Sequence, residues 1–304
     1  MRPQLEVRPA REAEWPGAFH FIFQSAPENE RPSRITHGID MVRRGELRPD
    51  GILIALRDDK IAGALICLKV PGASALVWPP QAEPADQAAI EDALVQHATS
   101  WLRGEGVRVA QCLLAEDQRR LGEPLLRNGF HLTTTLQYMR HDLARLSSPQ
   151  TPGLRFQTYL DCDKGLFRDT LERSYEGTLD CPELNGIRSM EEVLTGHLAQ
   201  GRHDPRRWWL AFQGQQPVGV LLATEIPEWK AWDLSYLGVL APYRCHGVGR
   251  QLTAQALWEA RQDRQTKLTL SVDRRNHPAQ RLYEKLGFIS YDFRDVYLAL
   301  WPRQ

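Results

Sequence analysis

The sequence predicts an α/β protein, α+β by some schemes, made of two tandem copies of one domain. Internal repetition is the first observation. An offset of about 156 residues lays Leu53-Ile54-Ala55 through Ala62-Gly63-Ala64 on Leu210-Ala211-Phe212 through Val218-Gly219-Val220. An offset of about 158 then lays Arg127-Asn128-Gly129-Phe130 on Lys285-Leu286-Gly287-Phe288. The second observation is length, since 304 residues divide into two pieces of ordinary domain size. The third is the order of patterns: apolar runs of strand length alternate with segments of helical period.

Each element follows from its local pattern. Each copy reads as a β-hairpin of apolar strands, a third strand, a helix, a strand, a helix and a final pair of strands. In the second copy, Trp232 to Leu240 reads as a strand, Gln251 to Asp263 as a helix, Lys267 to Val272 as a strand and His277 to Leu286 as a helix. The stretch Ala144 to Gly153, ARLSSPQTPG, has the Ser/Pro/Gly composition of a linker. The expected division is therefore 1–143, a linker over 144–153, and 154–304.

Bulk properties narrow the function classes. With 38 basic and 38 acidic side chains, no net field draws the chain to nucleic acid or to an anionic membrane. No apolar run approaches the roughly 20 residues that span a bilayer, and MRPQLEVRPA lacks the apolar core of a signal peptide. The five cysteines, Cys67, Cys112, Cys162, Cys181 and Cys245, are scattered and lack zinc-type spacing, so a reducing cytoplasm and no metal site are expected. Edge strands at the ends of the copies leave a homodimer open.

The most informative segment is Tyr243 to Leu252, YRCHGVGRQL. An R-x-x-G-x-G turn that follows an apolar run and opens a helix stacks free backbone N–H groups at a helix N-terminus, which suits a diphosphate. Neither the G-x-G-x-x-G of a dinucleotide-binding unit nor the G-K-[ST] of a phosphate-binding loop is present. A second signature follows as Asn276, Ala279, Leu282, Tyr283, Gly287 and Phe288, reading N-x-x-A-x-x-L-Y-x-x-x-G-F. In both signatures and their spacing the chain resembles the GNAT superfamily of acyl-CoA-dependent N-acyltransferases. One departure is the proline of the first signature, which falls at Pro242 rather than at position 241.

The resemblance implies that each copy is a mixed, mostly antiparallel twisted sheet flanked by helices. It also implies that the strand ending near Val239 splays from the one beginning near Lys267, so that the pantetheine arm of acetyl-CoA pairs with backbone at Leu237, Gly238 and Val239. The N–H groups of Cys245, His246, Gly247, Val248, Gly249 and Arg250 would face the pyrophosphate, and Arg244 would fix the turn or add charge to it. Cys245 is expected as a neutral spacer. Asn276 is expected to cap the following helix, to contact the cofactor arm, or both.

Tyr283 is the candidate proton donor to the departing thiolate, since reference pKa values of about 10 and 8.5 are near enough for transfer. The other reading is an aromatic packed at helical spacing. A base is needed for the amine. Relatives with protein acceptors carry a glutamate in an L-E-V segment, whereas this chain reads Leu270-Ser271-Val272. The remaining candidates are Asp233 and Glu225, directly or through water. Acceptor recognition is expected between Ser174 and Arg188, which is too long and too polar for an ordinary connector. By resemblance Tyr175, Asp180, Glu183 and Arg188 would touch the acceptor, while a plain Asx-type turn built by Asp180 and Asn185 is the other reading.

The copies are not chemically equal. Where the second has its glycine turn, the first reads Trp78-Pro79-Pro80-Gln81-Ala82-Glu83-Pro84, with three prolines that lack N–H groups. Leu125 stands where the second copy has Tyr283. The first copy is therefore expected to be degenerate and the second to be an acetyl-CoA-dependent N-acetyltransferase acting on a primary amine of a small molecule or a peptide. Tandem copies with one intact also resemble mycothiol synthase, and an acyl-CoA sensor without turnover is the reading from a different class.

Overall fold

A computed structural model describes residues 5–146 and 153–303. In the expected linker 144–153, residues 147–152 lie outside the described residues. The elements are β1 (Leu5–Pro9), α1 (Trp15–Ile22), α2 (Arg31–Arg43), β2 (Ile52–Arg57), β3 (Lys60–Val70), β4 (Ser74–Val77), β5 (Gln81–Ala82), α3 (Gln87–Gly104), β6 (Val109–Leu114), α4 (Glu123–Arg127) and β7 (His131–Asp142). They continue as β8 (Arg155–Thr158), α5 (Lys164–Ser174), α6 (Met190–Leu198), β9 (Trp208–Gln213), β10 (Gln216–Ile226), β11 (Ala231–Val239), α7 (Val248–Gln262), β12 (Lys267–Asp273), α8 (His277–Lys285) and β13 (Ile289–Leu300). The fold is mixed α/β, with mostly antiparallel open sheet flanked by helices, as the sequence predicts. Among the described residues no helix is long and apolar enough to cross a membrane.

The chain forms two compact units that do not follow chain order. The first comprises Met1–Thr133, Gly186–Arg188 and Asp295–Gln304, and the second Thr134–Asn185 and Ser189–Arg294. In the first unit the sheet runs β1-β2-β3-β4-β6 and then the Asp295–Leu300 part of β13, which pairs antiparallel with β6 from Asp295↔Leu114 to Leu300↔Val109. In the second it runs β8-β9-β10-β11-β12 and then β7, paired from Leu136↔Asp273 to Asp142↔Lys267. Each unit has one parallel pair, β4 with β6 and β11 with β12.

The final pair of strands expected in each copy is instead one strand of 12 residues, HLTTTLQYMRHD or ISYDFRDVYLAL. Neither holds a Gly, Pro or Asn, and the first is rich in β-branched threonine, so the local chemistry favours extension over a hairpin turn. The two eight-residue spacings of the repeat are direct cross-strand pairs, Ala55↔Gly63 and Ala211↔Gly219. Both glycines admit close neighbours. A Cβ on Gly219 would lie 2.9 Å from the Gly238 carbonyl oxygen, and one on Gly63 2.8 Å from Ile90.

Helices cover both faces of each sheet. In the second unit α7 and α8 pack Leu252, Ala256, Leu257 and Tyr283 onto Trp232, Leu234, Leu268 and Leu270. On the other face α5 packs Phe167 and Leu171 onto Leu210, Val220 and Leu222. Burial of such apolar surface is worth roughly 25 cal/mol per Å2 and fixes which strand residues face which side. That alternation positions the site.

Candidate active site

The site begins where β11 and β12 part. They pair in parallel from Ala231↔Lys267 to Leu234↔Leu270 and no further. Beyond that row β12 keeps pairing with β7, while β11 stays with β10 as far as Gly219↔Val239. A β-bulge marks the point: Leu222 opposes Tyr236 and Ala223 opposes Leu234, so Ser235 is the extra residue. A bulge sharpens the local twist and swings a strand away from its neighbour. The backbone from Ser235 to Val239 consequently borders a gap, with Leu237, Gly238 and Val239 on its wall.

The gap leads to the glycine turn. Cys245 (φ 63) and Gly247 (φ 83) both take left-handed backbone, and α7 starts at Val248 with Gly247 as its N-cap residue. The first helical hydrogen bond is donated by the Gln251 N–H to the Gly247 carbonyl, 3.1 Å. The N–H groups from Cys245 to Arg250 therefore have no acceptor among the described residues, as the first turn of a helix requires. Cys245, His246, Gly247 and Arg250 are exposed. The His246 ring Nδ1 pairs with the Arg244 carbonyl at 2.6 Å, which pulls the imidazole back along the turn.

Arg244 fixes this turn. Its guanidinium donates to the carbonyls of Val239 (2.9 Å), Gly177 (3.0 Å), Ser174 (3.1 Å) and Glu176 (2.6 Å), clamping the end of β11 to the end of α5. Of the two roles considered for this residue, the geometry supplies the first. Gly238 is needed beside the clamp, because a Cβ there would fall 2.3 Å from the Ser174 hydroxyl.

Tyr283 sits in α8, and Leu282 beside it lies 3.2 Å from where a Cβ on Gly249 would stand, so α8 leans on the first turn of α7. Asn276 caps α8, its side chain accepting from the Ala279 N–H at 3.3 Å. The Tyr283 ring is buried against Phe288, with centroids 5.6 Å apart. Its hydroxyl has no hydrogen-bond partner among the described residues. Burial, with the Asp180 charge nearby, pushes this phenol well above its ordinary value. The near match of donor and thiolate expected from reference values therefore widens, and burial favours the neutral phenol, which can donate a hydrogen bond.

The segment after α5 is pinned to the end of β12. Asp273 is fully buried. Burial alone would raise its pKa, but hydrogen bonds from the Arg275 side chain, the Thr134 hydroxyl (2.6 Å) and the N–H groups of Arg275 and Cys181 outweigh it and hold the carboxyl low. The Asp273 N–H in turn donates to Asp180 at 2.8 Å. Asp180 is exposed as a residue, yet protein surrounds its carboxylate, and that desolvation with the Asp273 charge pushes its pKa up. Arg275 completes the network through Glu183 (2.6 and 3.0 Å). Tyr175 packs on Tyr236 with centroids 4.8 Å apart.

The remaining candidates separate. Asp233, half-buried on β11, accepts from Thr269 Oγ1 at 2.7 Å, and burial pushes its carboxyl up. Glu225 pairs with Trp232 in the register and thus lies on the opposite face, in an ion pair with Arg207 at 2.9 Å. Arg188 belongs to the first unit and donates to the Gly72 carbonyl (3.3 Å) and Ser74 hydroxyl (3.0 Å) there. Asp180, Glu183, Tyr283 and the glycine turn thus belong to one unit, as does Glu225 on the face opposite to Asp233, whereas Arg188 belongs to the other unit. Sequence reasoning missed Asp273, Arg275, Thr134 and Tyr138; the acidic end of Leu270-Ser271-Val272-Asp273, three residues before Asn276, was the available signal for the first.

Comparison with known proteins agrees with this geometry. Residues 171–288 match the Acetyltransferase (GNAT) family. The chain is 25% identical over 224 residues to a mycothiol acetyltransferase of Streptomyces scabiei, covering 69% of this chain and 71% of that one. Among solved structures, a GCN5-related N-acetyltransferase from Sphaerobacter thermophilus shares the fold with a TM-score of 0.63 at 18% identity, over 99% of this chain and 97% of that one. A tandem GNAT protein from the clavulanic acid biosynthesis pathway matches at TM-score 0.55 and 16% identity, over 99% and 100% of the two chains.

Proposed function

Because residues 171–288 match the Acetyltransferase (GNAT) family, we propose that the second unit transfers an acetyl group from acetyl-CoA to a primary amine by direct attack on the thioester. The observation that carries this reading is that the parted strands, the free N–H groups of α7 and the unpartnered Tyr283 hydroxyl all belong to one unit. The gap beside Leu237, Gly238 and Val239 fits an extended pantetheine arm, and the N–H groups from Cys245 to Arg250 fit a diphosphate. Acetyl-CoA supplies an activated acyl group, and the residues supply position and proton handling.

The neutral amine nitrogen bonds to the acyl carbon as the carbon–sulfur bond breaks. Tyr283 donates a hydrogen bond to the sulfur as negative charge collects there. Asp233, half-buried and raised, accepts the proton that the amine must lose, directly or through one water. Glu225 is held in an ion pair by Arg207, which favours Asp233 for this role. Asp180 and Glu183 border the acceptor side. In this reading the first copy, expected over 1–143, is degenerate and binds no acetyl-CoA, and the second, expected over 154–304, carries the transfer.

Similarity to a mycothiol acetyltransferase favours a small-molecule acceptor over a protein one. Titration calorimetry with acetyl-CoA should give one equivalent bound, and Tyr283→Phe should keep that affinity while slowing release of CoA thiol about 100-fold in the presence of an amine. Binding without any thiol release in either form would instead establish an acyl-CoA sensor. No binding at all would sink the reading.

A further inference from the structure

Beside Asp233, one face of the second sheet carries aromatic side chains that the transfer mechanism does not use. Successive cross-strand partners share a face, so Asp233, Thr269 and Arg140 form one row across β11, β12 and β7, and Ser271 and Tyr138 stand in the adjacent row. With neighbouring strands about 4.8 Å apart, β11 and β7 are separated by about 10 Å, and between Asp233 and Tyr138 β12 presents the exposed Ser271 and the buried Thr269, which is bonded to Asp233. Asp233 bounds one side of this trough. Tyr138 bounds the other, its ring 6.2 Å from that of Tyr291 in an edge-on arrangement. Arg140 stacks on Tyr291 at 5.6 Å and extends the aromatic wall. Ile289, Tyr291 and Phe293 alternate along β13, and all three are exposed, at 56%, 43% and 40%. A run of large apolar side chains left open beside a half-buried carboxylate marks a binding surface.

Resting on the acetyltransferase reading, we propose that the acceptor is an aromatic primary amine whose amino group lies at Asp233 and whose ring lies over Ser271 against Tyr138 and Tyr291. Three observations converge on this class. The carboxylate matches an ammonium in charge and can take its proton. The tyrosines offer edge and face to a ring, the arrangement that aromatic pairs prefer. Ser271 leaves the floor clear, and a larger side chain there would occupy the ring's place. Arg294 is held by Asp292 at 2.7 Å and does not compete for Asp233.

The test uses phenethylamine, tyramine and n-hexylamine with acetyl-CoA and the full chain, read by CoA thiol release beside acetyl-CoA calorimetry. Wild type should favour the two aromatic amines over n-hexylamine at least 10-fold in kcat/KM. Ser271→Leu should remove that preference through the amine KM while acetyl-CoA affinity stays within twofold, and Tyr291→Ser, at an exposed position, should weaken it in the same direction. Equal use of n-hexylamine, or a preference untouched by Ser271→Leu, overturns the assignment. Acetyl-CoA binding with no turnover of any of the three also overturns it and leaves the acetyl-CoA site standing. Failure to bind acetyl-CoA removes the broader reading itself.

Discussion

The end of β11 and the end of β4 start from the same geometry and finish differently. In the second unit Gly219 pairs with Val239, and seven residues separate Val239 from the N-cap Gly247. In the first unit Gly63 pairs with Ala82, and only three separate Ala82 from the N-cap Asp86. The missing residues are those of the glycine turn. The strand is broken as well, because Pro79 and Pro80 interrupt it between β4 and β5 and lack N–H groups for any ladder or ligand. The head of α3 is already surrounded by charge: Arg57 pairs with Glu83 at 2.9 Å and Asp86 at 3.1 Å. Carboxylates at a helix N-terminus take up the same favourable field that would draw a diphosphate. On the proposed reading, the contrast means that the shared scaffold alone does not hold the cofactor and that a turn of a few residues decides it.

The largest effect should come from Gly247→Glu. No atom lies within 4 Å of a Cβ at this site, so the side chain fits, but it carries negative charge into the cradle and puts a non-glycine residue at φ 83. Acetyl-CoA affinity should fall more than about 1,000-fold, while the left-handed backbone costs only about 1–2 kcal/mol of stability. A melting curve separates the two effects. Retained binding would mean that the cradle is not the diphosphate site and that the comparison between the units carries no function.

Protonation sharpens the same contrast. Burial raises the Asp233 carboxyl, so its base form is lost as pH falls through a value above the ordinary carboxylate range. The acid limb of kcat/KM should therefore lie at higher pH than an ordinary aspartate would give, and Asp233→Asn should lower activity about 100-fold and flatten that limb. A raised carboxyl binds its proton more tightly in the folded state, so ionising it costs folding stability as pH rises through that window. Asp233→Asn should accordingly be slightly more stable than wild type at neutral pH. An unchanged acid limb would transfer the base role to another group, Asp180 being the next raised carboxyl.

A smaller effect is expected from Arg244→Ala, which removes the donor to four carbonyls and leaves the glycine turn without its clamp. Loss of stability of about 2–3 kcal/mol and a rise of about 10-fold in acetyl-CoA Kd are expected. A change in Kd without a change in melting would show that Arg244 touches the cofactor after all.

These outcomes bear on how much the sequence could say. The turn, the strand before it, the Asn276 cap and the position of Tyr283 were legible because each rests on local chemistry: glycine at a left-handed residue, an amide at a helix start, an aromatic at helical spacing. The composition of the two sheets was not legible. A strand such as Leu136-Gln137-Tyr138-Met139 carries the same alternation whichever sheet receives it, so nothing local says that it sits beside β12. Tyr138 and Thr134 were invisible as site residues for that reason. Arg188 illustrates the converse: it lies at the end of a polar segment read as continuous, yet three of that segment's residues, Gly186–Arg188, belong to the other unit.

The smallest expected effect tests whether charge or length disables the first unit. Glu83→Gln with Asp86→Asn removes both carboxylates at the head of α3 and releases Arg57, but it restores neither the four missing residues nor the N–H groups absent at Pro79, Pro80 and Pro84. Acetyl-CoA stoichiometry should stay at one equivalent, with the affinity of the intact site within twofold of wild type. The pairs are partly exposed, so stability should change by less than about 1 kcal/mol. A second equivalent in calorimetry would show that repulsion, not the shortened turn, silences the first unit. In that case the backbone cradle would be less exacting than the geometry of Cys245 to Arg250 implies, because a three-residue connection would suffice to hold the diphosphate once the carboxylates were gone.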